Sequence, residues 1–482
     1  MHSVKRNFGF NILLTVCNVL FPLISFPYIT RVLGPVGFGK VQYVTTFLQY
    51  FTMIAALGIP IYGIREVAKA RRVKEQLEKV VSELVFINII TSVLTLVVYW
   101  VLIFAIERLH QNETFYFVAS LSLILSFCSV DWLFSGLEQF KFIAVRSLVI
   151  KVFSIILLFW LVKTEKDALI YLAISIFSTL LNNLWNVYSS KKFIRLRYFS
   201  FKLSKLHFKP LLYIFSTIAA ISIYALMDTL ILGYIKNDEA VGFYTAAGRI
   251  NKVAIPILTA LGTVLIPRIS EAFKKGEFKK INELATYSLE YVLFIGIPIT
   301  IGIIVLANEI TLIFSGSKFL PSTFSMQLLA PTVLIIGLSN VWAIQILTPL
   351  GHDKLVTKSV VIGLVYSLTA NLVLIPIYSY VGASFVNLTT ELVVMACFAY
   401  YANKFSKVQM HLIPTLITIT FTVIAFTFVK VVILKLYLSI YLSVLIIIIS
   451  CAALYILFQF FVIKNRYLRD FVGSYLKKRL VK

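Results

Sequence analysis

The sequence predicts an all-α membrane protein of about 14 transmembrane helices: two six-helix lobes built as parallel repeats, plus two C-terminal helices. Three observations lead there. The chain is 60% hydrophobic and only 14% charged, with a mean hydropathy of +0.92, which is more apolar surface than a water-soluble globule buries. Its basic residues collect in the gaps between apolar runs, as at a membrane boundary. Short motifs recur at a nearly constant offset, the mark of an internal repeat.

A bilayer crossing takes about 20 apolar residues. The spans read in order are 8–30, 41–63, 81–106, 114–136, 143–162, 167–188, 211–235, 242–266, 287–307, 325–349, 357–377, 381–402, 412–434 and 437–463. Lys5 and Arg6 precede an apolar run that reaches Ile29, too long for a signal sequence, so the first span reads as a retained helix. With the N-terminus inside, and with Arg146, Lys358 and Lys430 near span ends counted with the adjoining loops, 33 of the 45 Lys and Arg fall on the cytoplasmic side (Arg146 and Lys358 among them), 9 on the outer side (Lys430 among them) and three, Lys151, Arg249 and Lys252, within spans. Both termini are therefore expected in the cytoplasm. The net charge of +24 becomes a record of topology, and no nucleic-acid partner is expected. Cys17, Cys128, Cys397 and Cys451 lie in apolar runs without paired or metal-like spacing, which predicts free thiols and no metal site.

The repeat is carried by residue pairs. Val36-Gly37-Phe38 opens span two and Val241-Gly242-Phe243 opens span eight. Leu57-Gly58 leads to Arg65 as Leu261-Gly262 leads to Arg268, and Leu137 to Lys141 corresponds to Leu350 to Lys354, at offsets of about 205 and 213. Six spans per half is an even number, so the halves share one orientation. The expected division is an N-terminal lobe over 1–208, a C-terminal lobe over 209–404, and helices 13 and 14 with a basic tail over 405–482.

Gly34 to Lys40 fits the G-x-x-x-x-G-K part of a phosphate loop, but Val41 replaces the magnesium-binding hydroxyl and no strand precedes it. It reads as an external turn. The basic runs Arg65 to Lys79 and Lys274 to Lys280 read as amphipathic cytoplasmic helices, with Glu75 and Lys79 spaced to pair. Such runs set topology beside anionic headgroups, and the sharper alternative has Arg65 and Arg268 meeting an anionic substrate.

Charges within spans are the strongest functional signal, because each is expensive in lipid. Asp228 in span seven and Arg249 in span eight, with Lys252 one turn further on, lie about 10 Å below the outer surface on adjacent antiparallel helices. Either a structural ion pair or a charged cavity follows. The first half has Val44, Thr45, Phe47 and Gln49 at the matching stretch, which favours function over a fold requirement. Arg31 at the outer end of span one adds a cation to the same surface or snorkels to the headgroups. Asp131, Lys151 and Glu391 are lesser candidates for substrate or ion contact. The five histidines, His2, His110, His207, His352 and His411, read as loop or terminal residues, no catalytic constellation is present, and neither an enzyme activity nor a cofactor is expected.

The segments ISFPYITRVLGPVGFGKVQY, LGIPIYGIREVAKAR and MDTLILGYIKNDEAVGFYTAAGRI resemble those of Wzx-type polysaccharide flippases, within the multidrug/oligosaccharidyl-lipid/polysaccharide exporter superfamily. The resemblance implies a cationic central cavity that turns over an undecaprenyl-diphosphate-linked oligosaccharide by alternating access in the bacterial cytoplasmic membrane, for O-antigen or capsule assembly. It implies membrane lipid, a coupling proton or sodium ion, and a polysaccharide polymerase with chain-length machinery as partners. The match reaches Arg31, Arg65, Asp228 and Arg249 by motif, whereas Lys151 and Lys252 rest on charge alone. The competing readings are a cation-coupled multidrug exporter, which would want acids in its cavity; a peptidoglycan-precursor flippase; a membrane-embedded glycan polymerase or glycosyltransferase, which would want a large external loop or a soluble domain with catalytic acids; and a purely structural membrane scaffold, which does not explain charges inside only one half.

Overall fold

The computed structural model describes residues 2–409, 411–465 and 468, with side chains from residue 21 onward except 201–204, 217 and 263. The basic tail expected after residue 468 lies outside the described residues. Every regular element described is helical. Among the described residues, twelve segments are long and apolar enough to cross a membrane. Two of these, Phe21–Ala70 and Asp353–Ala402, have 50 residues each, about 75 Å if straight and so twice a bilayer. Both are broken. The backbone turns at Gly34 (φ 66°) and again at Leu57 and Gly58 (φ 45° and 77°) in the first, and at Ser379 (φ 53°) in the second. Counting each as two crossings gives the expected fourteen.

Residues 1–242 and 243–482 form two compact units. The first contains α1 (His2–Ala56), α2 (Ile59–Ala70), α3 (Lys74–Ala105), α4 (Glu107–His110), α5 (Glu113–Ile124), α6 (Asp131–Gly136), α7 (Phe140–Leu161), α8 (Ala168–Ser190) and α9 (Phe201–Ile235). Across the boundary runs α10 (Asp238–Lys274). The second unit continues with α11 (Phe278–Val305), α12 (Ala307–Phe314), α13 (Thr323–Asn340), α14 (Asp353–Ala402), α15 (Leu412–Leu434) and α16 (Ile440–Phe461). The division falls at 242 rather than at the repeat boundary of 208, because α9 packs on α1, α2 and α3.

The buried face of α3 is more polar than its exposed one, as a lipid-facing helix requires. On α3, Val93, Leu94, Val97, Val98, Val101 and Phe104 are exposed along one stripe, while Ser92, Thr95 and Tyr99 are buried on the other face. Glycines set the closest approaches. A Cβ on Gly39 would overlap the Asp238 carbonyl, and one on Gly242 would overlap that of Pro35, so Gly39, two residues after the Gly37 that opens span two, and Gly242, which opens span eight, let two backbones touch within the first unit. Their loop-like spacing with Gly34 and Lys40 is spent on this crossing, and Lys40 lies 4.6 Å from the Phe115 ring. Gly39→Ala is expected to destabilise the protein by about 1–3 kcal/mol, since only a backbone shift relieves the clash. Thermal unfolding in detergent measures it, and an unchanged midpoint would refute the close crossing.

The repeat is visible in local geometry. After α6, Gln139 N–H donates to the Phe134 carbonyl (2.8 Å) and Glu138 N–H to that of Ser135 (3.0 Å), with Glu138 at φ 58°. The same cap recurs before α14, where His352 donates to Leu347 and Gly351 to Thr348 with φ 80° at Gly351. This is the left-handed helix ending that favours glycine. Leu57-Gly58 and Leu261-Gly262 differ, however: the first pair ends α1, whereas the second lies inside an unbroken α10.

The two basic runs also differ from expectation. Arg65 sits on α2, but the chain turns at 71–73 and Lys74 begins α3, and Glu75 meets Arg197 at 3.5 Å. The second run is a hairpin rather than a helix. Gly276 (φ 72°) ends α10, with Glu277 donating to Ala272 at 2.9 Å, and α11 starts at once.

Candidate functional site

In the first unit, α9 carries Asp228, whose residue is 1% exposed. Several contacts fix the helix that presents it. The Tyr50 hydroxyl on α1 donates to the Ile223 carbonyl at 2.8 Å, and Tyr50 lies within electrostatic reach of Asp228. Gly233 lets the Tyr43 ring lie flush on α9. At the end of α9 the Arg108 guanidinium donates to the Tyr234 and Lys236 carbonyls, where a helix leaves acceptors unmet.

The cations of this unit lie at different depths. Arg31 is exposed one turn before the Gly34 break. Arg65 is exposed on α2, 3.3 Å from Glu66, with its guanidinium carbon 5.3 Å from the Tyr62 ring centre. The stretch 35–56 separates these two arginines by about 33 Å along the helix, so one diphosphate cannot touch both. Lys151 is half-buried midway along α7, with its ammonium 5.8 Å from the Phe21 ring. Asp131 meets Arg146 and accepts from the Asn186 amide at 3.0 Å.

In the second unit Arg249 is half-buried and Lys252 exposed one turn later on α10. Asn237 caps that helix through the Ala240 N–H at 2.9 Å, and with Asp238 and Glu239 in its first turn it starts four residues sooner than the sequence suggested. Arg249 therefore lies about 17 Å from the start of α10, where the span boundary at 242 gave about 10 Å. Exposed Arg268 is about 28 Å further on. Glu391 is 6% exposed on α14. Asp228 belongs to the first unit and Arg249 to the second. Between α11, α15 and α16 runs an open apolar groove of about 480 Å³, lined by Pro298, Gly302, Phe426, Cys451 and Tyr455 among others.

Residues 4–273 match the family profile described as Polysaccharide biosynthesis protein, more than half of the chain. The chain belongs to that family. A second profile, MatE, matches residues 214–363. Among curated relatives, a Shigella dysenteriae protein described as "Putative O-antigen transporter" is 24% identical over 382 residues, 79% of this chain and 94% of that protein. Among solved structures, the lipid II flippase MurJ in an inward closed conformation superposes with a TM-score of 0.78 at 14% identity, over 96% of this chain and 100% of the other. A multidrug resistance MATE family transporter of the MOP superfamily, in its inward-facing conformation, gives 0.63 at 14% identity, over 80% and 93%. These structural likenesses are of fold. With the helices long and apolar enough to cross a membrane, they show that this polysaccharide biosynthesis family member is a multi-pass membrane protein with the fold of those transporters.

Several buried charges escaped the sequence reading. Arg146, counted as a cytoplasmic loop charge, is 1% exposed inside α7, paired with Asp131 and bonded to the Asn186 carbonyl oxygen. Lys430, counted on the outer side, lies in α15 and holds Glu309 at 2.9 Å and the Val305 carbonyl at 2.7 Å. His207, read as a loop residue, is buried on α9 against Glu83 and Tyr62. Each partner is more than 15 residues away or lies across a turn, and only the acid–base complement of neighbouring spans hinted at them.

Proposed function

We propose that the protein turns oligosaccharide repeat units carried on undecaprenyl diphosphate from the cytoplasmic to the outer leaflet of a bacterial cytoplasmic membrane, for O-antigen or capsule assembly. The observation that carries this reading is Arg249, half-buried deep in α10 with Lys252 one turn away, inside the segment matched by the family. A diphosphate and its sugars do not cross hydrocarbon unaided, and guanidinium groups bind phosphate oxygens in pairs. In the first unit Arg65 stands at the basic end, Lys151 midway along α7 and Arg31 at the far end, and in the second Arg268 stands near the basic end of α10 with Arg249 nearer its start; such series of cations suit a charge passed between stations by alternating access. The apolar groove beside α15 and α16 has the chemistry to take part of an isoprenoid chain.

The orientation follows from the distribution of Lys and Arg, with both termini in the cytoplasm. Asp228 and Glu391, buried acids on α9 and α14, take the coupling proton or sodium ion. The MatE match favours a second reading, export of organic cations, although five cationic stations oppose that substrate. Deleting the protein separates the two. Flipping predicts lipid-linked oligosaccharide accumulating on the cytoplasmic leaflet and restored export on complementation. Normal surface glycan with new sensitivity to cationic dyes would reverse the assignment.

A further inference from the structure

The two C-terminal helices leave a polar cleft as well as the apolar groove. Where α15 begins and α16 ends, beside α11, a pocket of about 250 Å³ opens within the second unit. Its floor is fixed by side-chain bonds between the helices. The Tyr455 hydroxyl on α16 donates to the Phe294 carbonyl on α11 at 2.9 Å, and the Gln459 amide donates to the Thr418 hydroxyl on α15 at 3.2 Å. Gln459 in turn accepts from the Asn465 amide at 3.2 Å, and the Asn465 N–H donates to the Gln459 carbonyl at 2.9 Å. These bonds hold the turn that follows α16, with Lys464 in the left-handed region at φ 56°. A residue other than glycine rarely adopts that conformation unless its surroundings impose it.

The rim carries both signs of charge. Lys464 and His411 are exposed, while Glu290 on α11 lies further in, its side chain 28% exposed against 63% for His411. His411 Nε2 is 4.0 Å from Glu290 Oε1, too far for a hydrogen bond. Behind the charges the walls are apolar, formed by Leu289, Leu293 and Ile297. Phe294 and Tyr455 line this pocket and the apolar groove alike. Cation, acid and hydrocarbon wall therefore share a single cleft. A soluble anion would use only the first.

We infer that this cleft binds one membrane phospholipid with an ethanolamine headgroup, its phosphate at Lys464 and His411, its ammonium at Glu290 and an acyl chain directed to the groove. Phosphate oxygens accept from the Lys464 ammonium and the His411 ring N–H, and the lipid ammonium donates to the Glu290 carboxylate. The occupant is zwitterionic because the cleft is. A glycerol headgroup brings no charge to offset the half-buried carboxylate, and the phosphate of a prenyl carrier would set like charge against it. In the orientation proposed above, spans nine, thirteen and fourteen reach the cytoplasmic boundary here, at the level of the phospholipid headgroups. An acyl chain and an isoprenoid chain share the groove, so the two occupy it in turn.

The test involves no transport, so its outcome is separate from that of the flippase reading. The full chain, purified in detergent and stripped of lipid by exchange, is offered an equimolar mixture of phosphatidylethanolamine, phosphatidylglycerol and undecaprenyl phosphate, and native mass spectrometry reads the lipid retained. Phosphatidylethanolamine is expected to be retained about fivefold over phosphatidylglycerol, the worth of one partly exposed ion pair. Glu290→Gln should bring that ratio to about one. Lys464→Gln should lower retention of both phospholipids together. Equal retention of the two by the unaltered chain, or preferential retention of undecaprenyl phosphate, overturns the inference whether or not a variant folds. So does a preference for phosphatidylethanolamine that survives Glu290→Gln, which would place the lipid elsewhere on the surface.

Discussion

Arg249→Ala is expected to reduce export of lipid-linked glycan by about 30-fold or more while membrane insertion and protein level stay normal. Removing one partner of a desolvated charge contact costs about 2 kcal/mol or more, which is about that factor. Arg249 is half-buried about a third of the way along α10, where bulk water screens it less than it screens exposed Arg268. Arg268→Ala should accordingly lose much less. Arg249→Lys should recover only part, because a lysine keeps the charge but not the paired donors that match a diphosphate. The measurement is surface glycan in cells complemented with each variant, normalised to protein in the membrane fraction. Normal export by Arg249→Ala removes this residue from the transport path.

The spans were legible because a bilayer imposes a length and a composition that few other constraints mimic. The turn at Gly34 is legible in the sequence and the backbone breaks there, whereas the break at Leu57 and Gly58 falls inside the apolar run read as span two, and the left-handed caps at Glu138 and Gly351 are legible only as matching stretches of the repeat. Partnership was not legible. An apolar-run boundary gives no sign of whether a flanking charge lies outside the helix or inside it, so Arg146 and Lys430 were counted as loop residues while both are fastened to acids. His207 was misplaced for a related reason. The apolar run of span seven begins at residue 211, but α9 begins at Phe201, and its polar first turns pack against α2 and α3 rather than forming a loop. Hydropathy locates lipid-facing helix, whereas helix that is polar and packed on protein resembles a connection.

The pair between Asp131 and Arg146 gives an ordering that sequence position alone would not predict. Arg146 has a side chain 1% exposed, whereas that of Asp131 is 44% exposed. Removing the acid leaves a buried guanidinium without compensation, and its Nε already lacks a partner. Removing the arginine leaves a carboxylate that still accepts from Asn186 at 3.0 Å and is open to water. Asp131→Ala is therefore expected to destabilise by about 3–5 kcal/mol, and Arg146→Met by only about 1–2 kcal/mol. Asp131→Asn should fall between Asp131→Ala and the unaltered chain, since it keeps an acceptor for the guanidinium and gives up the charge. Unfolding in detergent, followed for the three variants together, reads the order directly. If Arg146→Met were the more damaging change, the arginine's alkyl stem and its bond to Asn186 would be holding α7 to α8, and the ion pair would be secondary. If instead both single changes left stability intact and export fell, the pair would belong to the moving parts of the transporter rather than to its frame.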